Sequence, residues 1–102
     1  MYLIQIFLPL YDNNKLSFDK SVFNAIRDDL KNKFGGVTFY RNAPAEGLWS
    51  NDTGGTDYDE LVTTEVMTDA FDKNWWQTYK QQLEKIFRQD EILIRAISFE
   101  KI

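Results

Sequence analysis

Apolar positions alternate along Tyr2 to Leu10, with Ile4, Ile6 and Leu8 on one parity and Leu3, Gln5, Phe7 and Pro9 on the other. This predicts a strand that is largely apolar on both faces. Pro9 has no backbone N–H to give a ladder and marks the strand's end. The polar run Asp12-Asn13-Asn14-Lys15 reads as a loop. Beyond it, Val22, Phe23, Ile26, Leu30 and Phe34 recur at spacings of three and four, the period of one helix face. Ser17 or Asp19 is the expected cap of that helix, and Gly35-Gly36 its stop.

Val37 to Arg41 predicts a second strand, and Asn42 to Trp49, interrupted by Pro44 and Gly47, an irregular continuation of it. Ser50 to Asp59 holds Asn51-Asp52 and Gly54-Gly55 and reads as a turn between antiparallel strands. Glu60 to Met67 is the third strand, with Val62, Thr64 and Val66 on one parity and Leu61, Thr63, Glu65 and Met67 on the other. A second helix follows, capped by Asp69 or Asp72, with Trp76, Tyr79, Leu83, Ile86 and Phe87 as its apolar stripe and Arg88 to Glu91 closing it. Ile92 to Phe99 is the last strand.

The order β-α-β-β-α-β is that of a split βαβ domain, an antiparallel sheet in the order 4-1-3-2 with both helices on one face. If Ile4, Ile6, Val62, Val66, Ile92 and Ile94 lie under the helices, the other face displays Leu3, Phe7, Leu61, Met67, Leu93, Ile97 and Phe99. Such a patch calls for a cover. A symmetric dimer pairing two sheets supplies one, and the 42–59 segment folding back over its own sheet supplies the alternative.

The same parity places Gln5, Glu65 and Arg95 in the middle of this apolar face, with Arg41 or Tyr40 added by the second strand. Charges on an enclosed face require partners. In the functional reading this is a pocket, where arginine binds an anionic or carbonyl group and Glu65 acts as a catalytic base or an acceptor. In the structural reading it is an ion-pair network that sets dimer register. Beside it, the run from Arg41 to Trp49 offers Arg41 as anion anchor, Glu46 as acceptor and Trp49 as an apolar wall, although Pro44 and Gly47 also suit a plain bulge and Trp49 a core plug.

Composition narrows the chemistry. At 102 residues the chain fits one domain, 1–102. It contains neither cysteine nor histidine, which removes disulfides, thiolate nucleophiles and the usual ligands of zinc and haem. No metal and no other cofactor is therefore expected, and the absence of cysteine suits a cytoplasmic protein. A net charge of −4 opposes nucleic-acid binding, and the dispersed basic residues oppose binding to an anionic membrane. The apolar start has no basic flank and reads as a strand rather than a signal peptide. Trp75-Trp76 reads as core, the acidic residues Asp52, Asp57, Asp59 and Glu60 as a solvated loop, and neither glycine pair has the flanks of a phosphate loop.

In element order, in length and in its two-faced strands at Tyr2 to Leu10 and Ile92 to Phe99, the whole chain resembles the ferredoxin-like superfamily of dimeric α/β-barrel proteins. That superfamily includes cofactor-free monooxygenases, haem-degrading enzymes and many small bacterial proteins. The resemblance implies a homodimer. Activities that depend on haem or a catalytic histidine do not carry over, because this chain lacks the residue. The expected function is a homodimeric small-molecule-binding protein or cofactor-independent enzyme using Gln5, Arg41, Glu46, Trp49, Glu65 and Arg95. The alternative is a non-catalytic interaction or assembly module whose apolar sheet face exists to pair.

Overall fold

Side-chain alternation along the first strand sets the layering of the molecule. In β1 (Tyr2–Pro9) Ile4, Ile6 and Leu8 are fully buried, and the residues between them are half-buried. The computed structural model describes residues 1–41, 49–50, 56–57 and 61–102, with backbone alone for 41, 49–50 and 56–57. After a polar turn in which the Asp12 carboxylate accepts from Asn14 N and Leu16 N, the chain enters α1 (Lys20–Phe34). Asp19 caps this helix by accepting from Ser21 N at 3.3 Å, while Ser17 pairs with Tyr11 in an isolated bridge. Gly35 ends it at φ 83°, a left-handed conformation that glycine adopts without a Cβ penalty.

β2 (Thr38–Arg41) leads to two very short strands, β3 (Trp49–Ser50) and β4 (Thr56–Asp57), and then to β5 (Leu61–Thr68). The helix α2 (Lys73–Phe87) is capped by Asp72, which accepts from Trp75 N at 3.1 Å, and the chain ends with β6 (Ile94–Ser98). Arg88 closes α2 in the left-handed region at φ 52°, where its N–H reaches the carbonyls of Glu84 and Lys85.

The main sheet is antiparallel throughout, in the order β2-β5-β1-β6. Counting the four long strands along the chain, this is 2-3-1-4, which read from the opposite edge is 4-1-3-2. The sheet is open, with β2 and β6 as its edges, so closure into a barrel would take a second sheet. β3 and β4 pair only with each other, Trp49 with Asp57 and Ser50 with Thr56. The stretch expected as an irregular continuation and a turn thus contains a small sheet of its own. Residues 42–48, 51–55 and 58–60 lie outside the described residues, and with them the expected fold-back of the 42–59 segment.

Both helices cover one sheet face. The core joins Ile4, Ile6 and Leu8 to Ile26 and Leu30 of α1, Val62 and Val66 of β5, and Trp76, Tyr79, Leu83 and Phe87 of α2. Aromatic contacts bind the helix layer together, with Phe34 stacked on Trp76 at 5.3 Å and Phe18 edge-on to Phe87 at 4.9 Å. Each fully buried aliphatic side chain contributes about 1.5–3 kcal/mol relative to exposure. Two expected core positions differ. Ile86 sits at the margin of its stripe and is 48% exposed, and Ile94, on an edge strand, is only half-buried.

Candidate functional site

The helix-free face is built in rows, because antiparallel register sets residues of one parity side by side. One row is apolar, with Met67 opposite Leu3 and Leu3 opposite Ile97. The next is polar, with Glu65 opposite Gln5 and Gln5 opposite Arg95. A third sets Tyr40 opposite Thr63 and Thr63 opposite Phe7. Met67, Leu93 and Ile97 are 55%, 51% and 41% exposed.

The polar row is hydrogen-bonded from edge to edge. Gln5 Nε2 donates to Glu65 Oε2 at 2.6 Å, and Gln5 Oε1 accepts from Arg95 Nε at 2.6 Å. Only one orientation of the amide satisfies both neighbours, since the carboxylate accepts and the guanidinium donates. Tyr40 joins diagonally from β2, its hydroxyl donating to Glu65. This hydrogen bond and the negative charge of Glu65 hold the Tyr40 phenol above its ordinary value, so it remains a donor at neutral pH. The resulting chain, Tyr40–Glu65–Gln5–Arg95, crosses all four strands of the sheet.

Arg95 is positioned from two directions. Its guanidinium lies 5.1 Å from the centre of the Phe7 ring, a cation–π contact two residues along β1 from Gln5. Its strand is tethered to α2 by Glu84 Oε2, which accepts from Lys80 Nζ at 2.7 Å and from Ile92 N at 3.1 Å, while Lys80 also reaches Glu91 at 2.9 Å. Among the described residues Arg95 makes no ion pair, so part of its planar donor fork remains available. Glu65, with two donors already directed at it, is arranged to accept further hydrogen bonds or positive charge.

A phage SAM lyase shares this fold. Its structure, solved in complex with S-methyl-5'-thioadenosine, superposes with a TM-score of 0.59 over 95% of this chain and 80% of that one, at 13% identity. At that identity the likeness is one of fold. No protein-family model matches the chain, and no curated protein matches it.

The expected site residues divide into two groups. Gln5, Glu65 and Arg95 are brought together, and Tyr40 takes the place in the row that was open between it and Arg41. The backbone of Arg41 pairs with Val62, the parity opposite to that of Tyr40. Trp49 belongs to β3, described by its backbone alone, and Glu46 lies outside the described residues. Phe7 was read only as part of the apolar face, although an aromatic two residues from Gln5 and one strand from Arg95 was a legible signal of guanidinium stacking. Among the described residues no group of three or more carboxylates could hold a metal ion, and no helix is long and apolar enough to cross a membrane.

Proposed function

We propose that this protein binds a small polar molecule on its helix-free sheet face, as a homodimer of the dimeric α/β-barrel kind, with Glu65 and Arg95 as the recognition groups. The observation that carries this reading is the hydrogen-bonded row from Tyr40 to Arg95, set beside the apolar row of Leu3, Met67 and Ile97. A face that served only to associate would gain little from a carboxylate and a guanidinium at its centre, since covering them removes both from water. A ligand with a cationic or hydrogen-bond-donating group for Glu65 and an anionic or carbonyl group for Arg95 would compensate that loss. Arg41, Glu46 and Trp49, on the segment entering from β2, are proposed to complete the walls. Where the bound molecule also reacts, Glu65 is the group that holds or takes its proton, with no cofactor.

The thioadenosine bound by the phage SAM lyase makes nucleosides carrying thioether or sulfonium groups the first compounds to try. The test is a thermal-shift panel that includes S-methyl-5'-thioadenosine and S-adenosylmethionine, run on the wild type and on Glu65→Gln. Stabilisation by a compound that is lost in a folded Glu65→Gln protein supports the reading. The exposed Met67, Leu93 and Ile97 favour a second reading, an assembly module whose face only pairs. A dimer by sedimentation that no compound stabilises would select that reading, and a monomer at micromolar concentration would remove the dimer from both.

A further inference from the structure

The charges of the helix-free face are placed so that the face is its own complement. Among the described residues, its strand positions carry one carboxylate, Glu65, and one guanidinium, Arg95. The two flank Gln5 in a single row, each one strand away from β1, and so their strands stand about 10 Å apart. They form no ion pair with each other, and the Gln5 amide joins them. The adjacent row is arranged about β1 in the same way, with Met67 and Ile97 on either side of Leu3. Met67 and Ile97 are exposed, so this row too calls for a cover.

A partner for this face has to set a cation over Glu65, an anion over Arg95 and apolar side chains over Leu3, Met67 and Ile97. An apolar, an acidic or a basic surface leaves at least one of the two charges covered without a counter-charge. A second copy of the face meets every requirement in one orientation. Sheets packed face to face with aligned strands admit a two-fold axis that lies between them and runs either across the strands or along them. At Gln5, an axis across the strands sets Glu65 over the partner's Glu65 and Arg95 over the partner's Arg95. An axis along β1 exchanges the β5 and β6 sides instead. It sets Glu65 over the partner's Arg95, Met67 over the partner's Ile97 and Leu3 over the partner's Leu3.

We propose that two copies of this chain pair their helix-free faces about an axis parallel to β1 at Gln5, so that Glu65 of each copy is opposed by Arg95 of the other. The proposal rests on the reading of this face as the binding surface of a homodimer and deepens it, because each pocket is then composite. A carboxylate from one protomer and a guanidinium from its partner close the same pocket, and the dimer holds two equivalent pockets. One copy meets the ligand's donor group and the other its anionic or carbonyl group, so a monomer has neither pocket complete.

The test is sedimentation of charge-reversal variants without any ligand, each checked for its fold by circular dichroism. Glu65→Arg sets arginine against arginine across the axis, and Arg95→Glu sets carboxylate against carboxylate. Each variant alone should therefore dimerise about a hundredfold more weakly than the wild type. Mixed in equal amounts the two should associate, because every crossing pair then has opposite charges. The double variant Glu65→Arg/Arg95→Glu should dimerise by itself for the same reason. Arg95 is exposed, so where Glu65→Arg does not fold, Arg95→Glu decides against Arg95→Gln, and the charge reversal should weaken the dimer far more than the neutral change. Single variants that dimerise as well as the wild type, the result for an axis across the strands, would overturn the pairing and leave ligand binding standing. Folded variants that fail to associate when mixed would do the same, and a wild-type monomer at micromolar concentration would overturn the pairing together with the dimer. The expected charge pattern in a protein that no compound stabilises would uphold the pairing and remove the ligand.

Discussion

Gln5 and Glu65 stand directly opposite each other on β1 and β5 and share a hydrogen bond of 2.6 Å from amide to carboxylate. The far end of the same amide receives Arg95, so Gln5 joins a cation and an anion that do not touch. A double-mutant cycle between Gln5→Ala and Glu65→Ala, read by urea denaturation, should give a coupling energy of about 1.5–3 kcal/mol, the usual net value of a hydrogen bond to a charged group. Additive single and double variants would mean that the bond contributes nothing to stability.

Tyr40 should make stability depend on alkaline pH. Its folded-state value is raised by Glu65, so the stabilisation is fully present below the ordinary tyrosine value of 10.0 and is lost as pH rises through the higher folded one. Thermal melts of the wild type and Tyr40→Phe across this range should therefore converge from a wild-type advantage at neutral pH. A constant difference across the range would show that the phenol does not bond to Glu65 in solution.

The row was legible before the structure because strand parity is a period-two property, and three strands with clear alternation bring Gln5, Glu65 and Arg95 to one face whatever the details of their loops. The fourth member was not. Tyr40 and Arg41 are adjacent, hence on opposite parities, and only pairing with β5 decides between them. The helix caps show the same limit, since Ser17 and Asp19 are both competent and the bridge from Ser17 to Tyr11 leaves the role to Asp19. The β3–β4 pair was hidden for a different reason, since two residues per strand carry no usable periodicity.

The tether formed by Lys80 and Glu84 should fail in acid. Hydrogen bonds from Lys80 and then from the Ile92 amide lower the Glu84 carboxyl below its ordinary value of 4.5. Its contribution is therefore complete above that pH and disappears as pH falls through the lower folded value. Glu84→Gln should melt at a lower temperature than the wild type at neutral pH, and the gap should close in acid. A gap that persists at low pH would indicate lost packing rather than a lost charge.

Core packing gives the largest expected effect. Leu83 is fully buried in the core cluster, so Leu83→Ala should cost about 2–5 kcal/mol in urea unfolding. Gly35→Ala meets no neighbouring atom but would force a Cβ into the left-handed region at φ 83°, and should cost about 1 kcal/mol. Equal, small effects at both positions would contradict the assigned core and helix stop.

The claim that the helix-free face recognises a small molecule is tested most directly by an NMR titration of the labelled protein. The ligand is the compound that most raises its melting temperature in the thermal-shift panel. The shifts should cluster on Gln5, Tyr40, Glu65 and Arg95 and vanish in Glu65→Gln. Shifts confined to other surfaces, or unchanged in that variant, would contradict it.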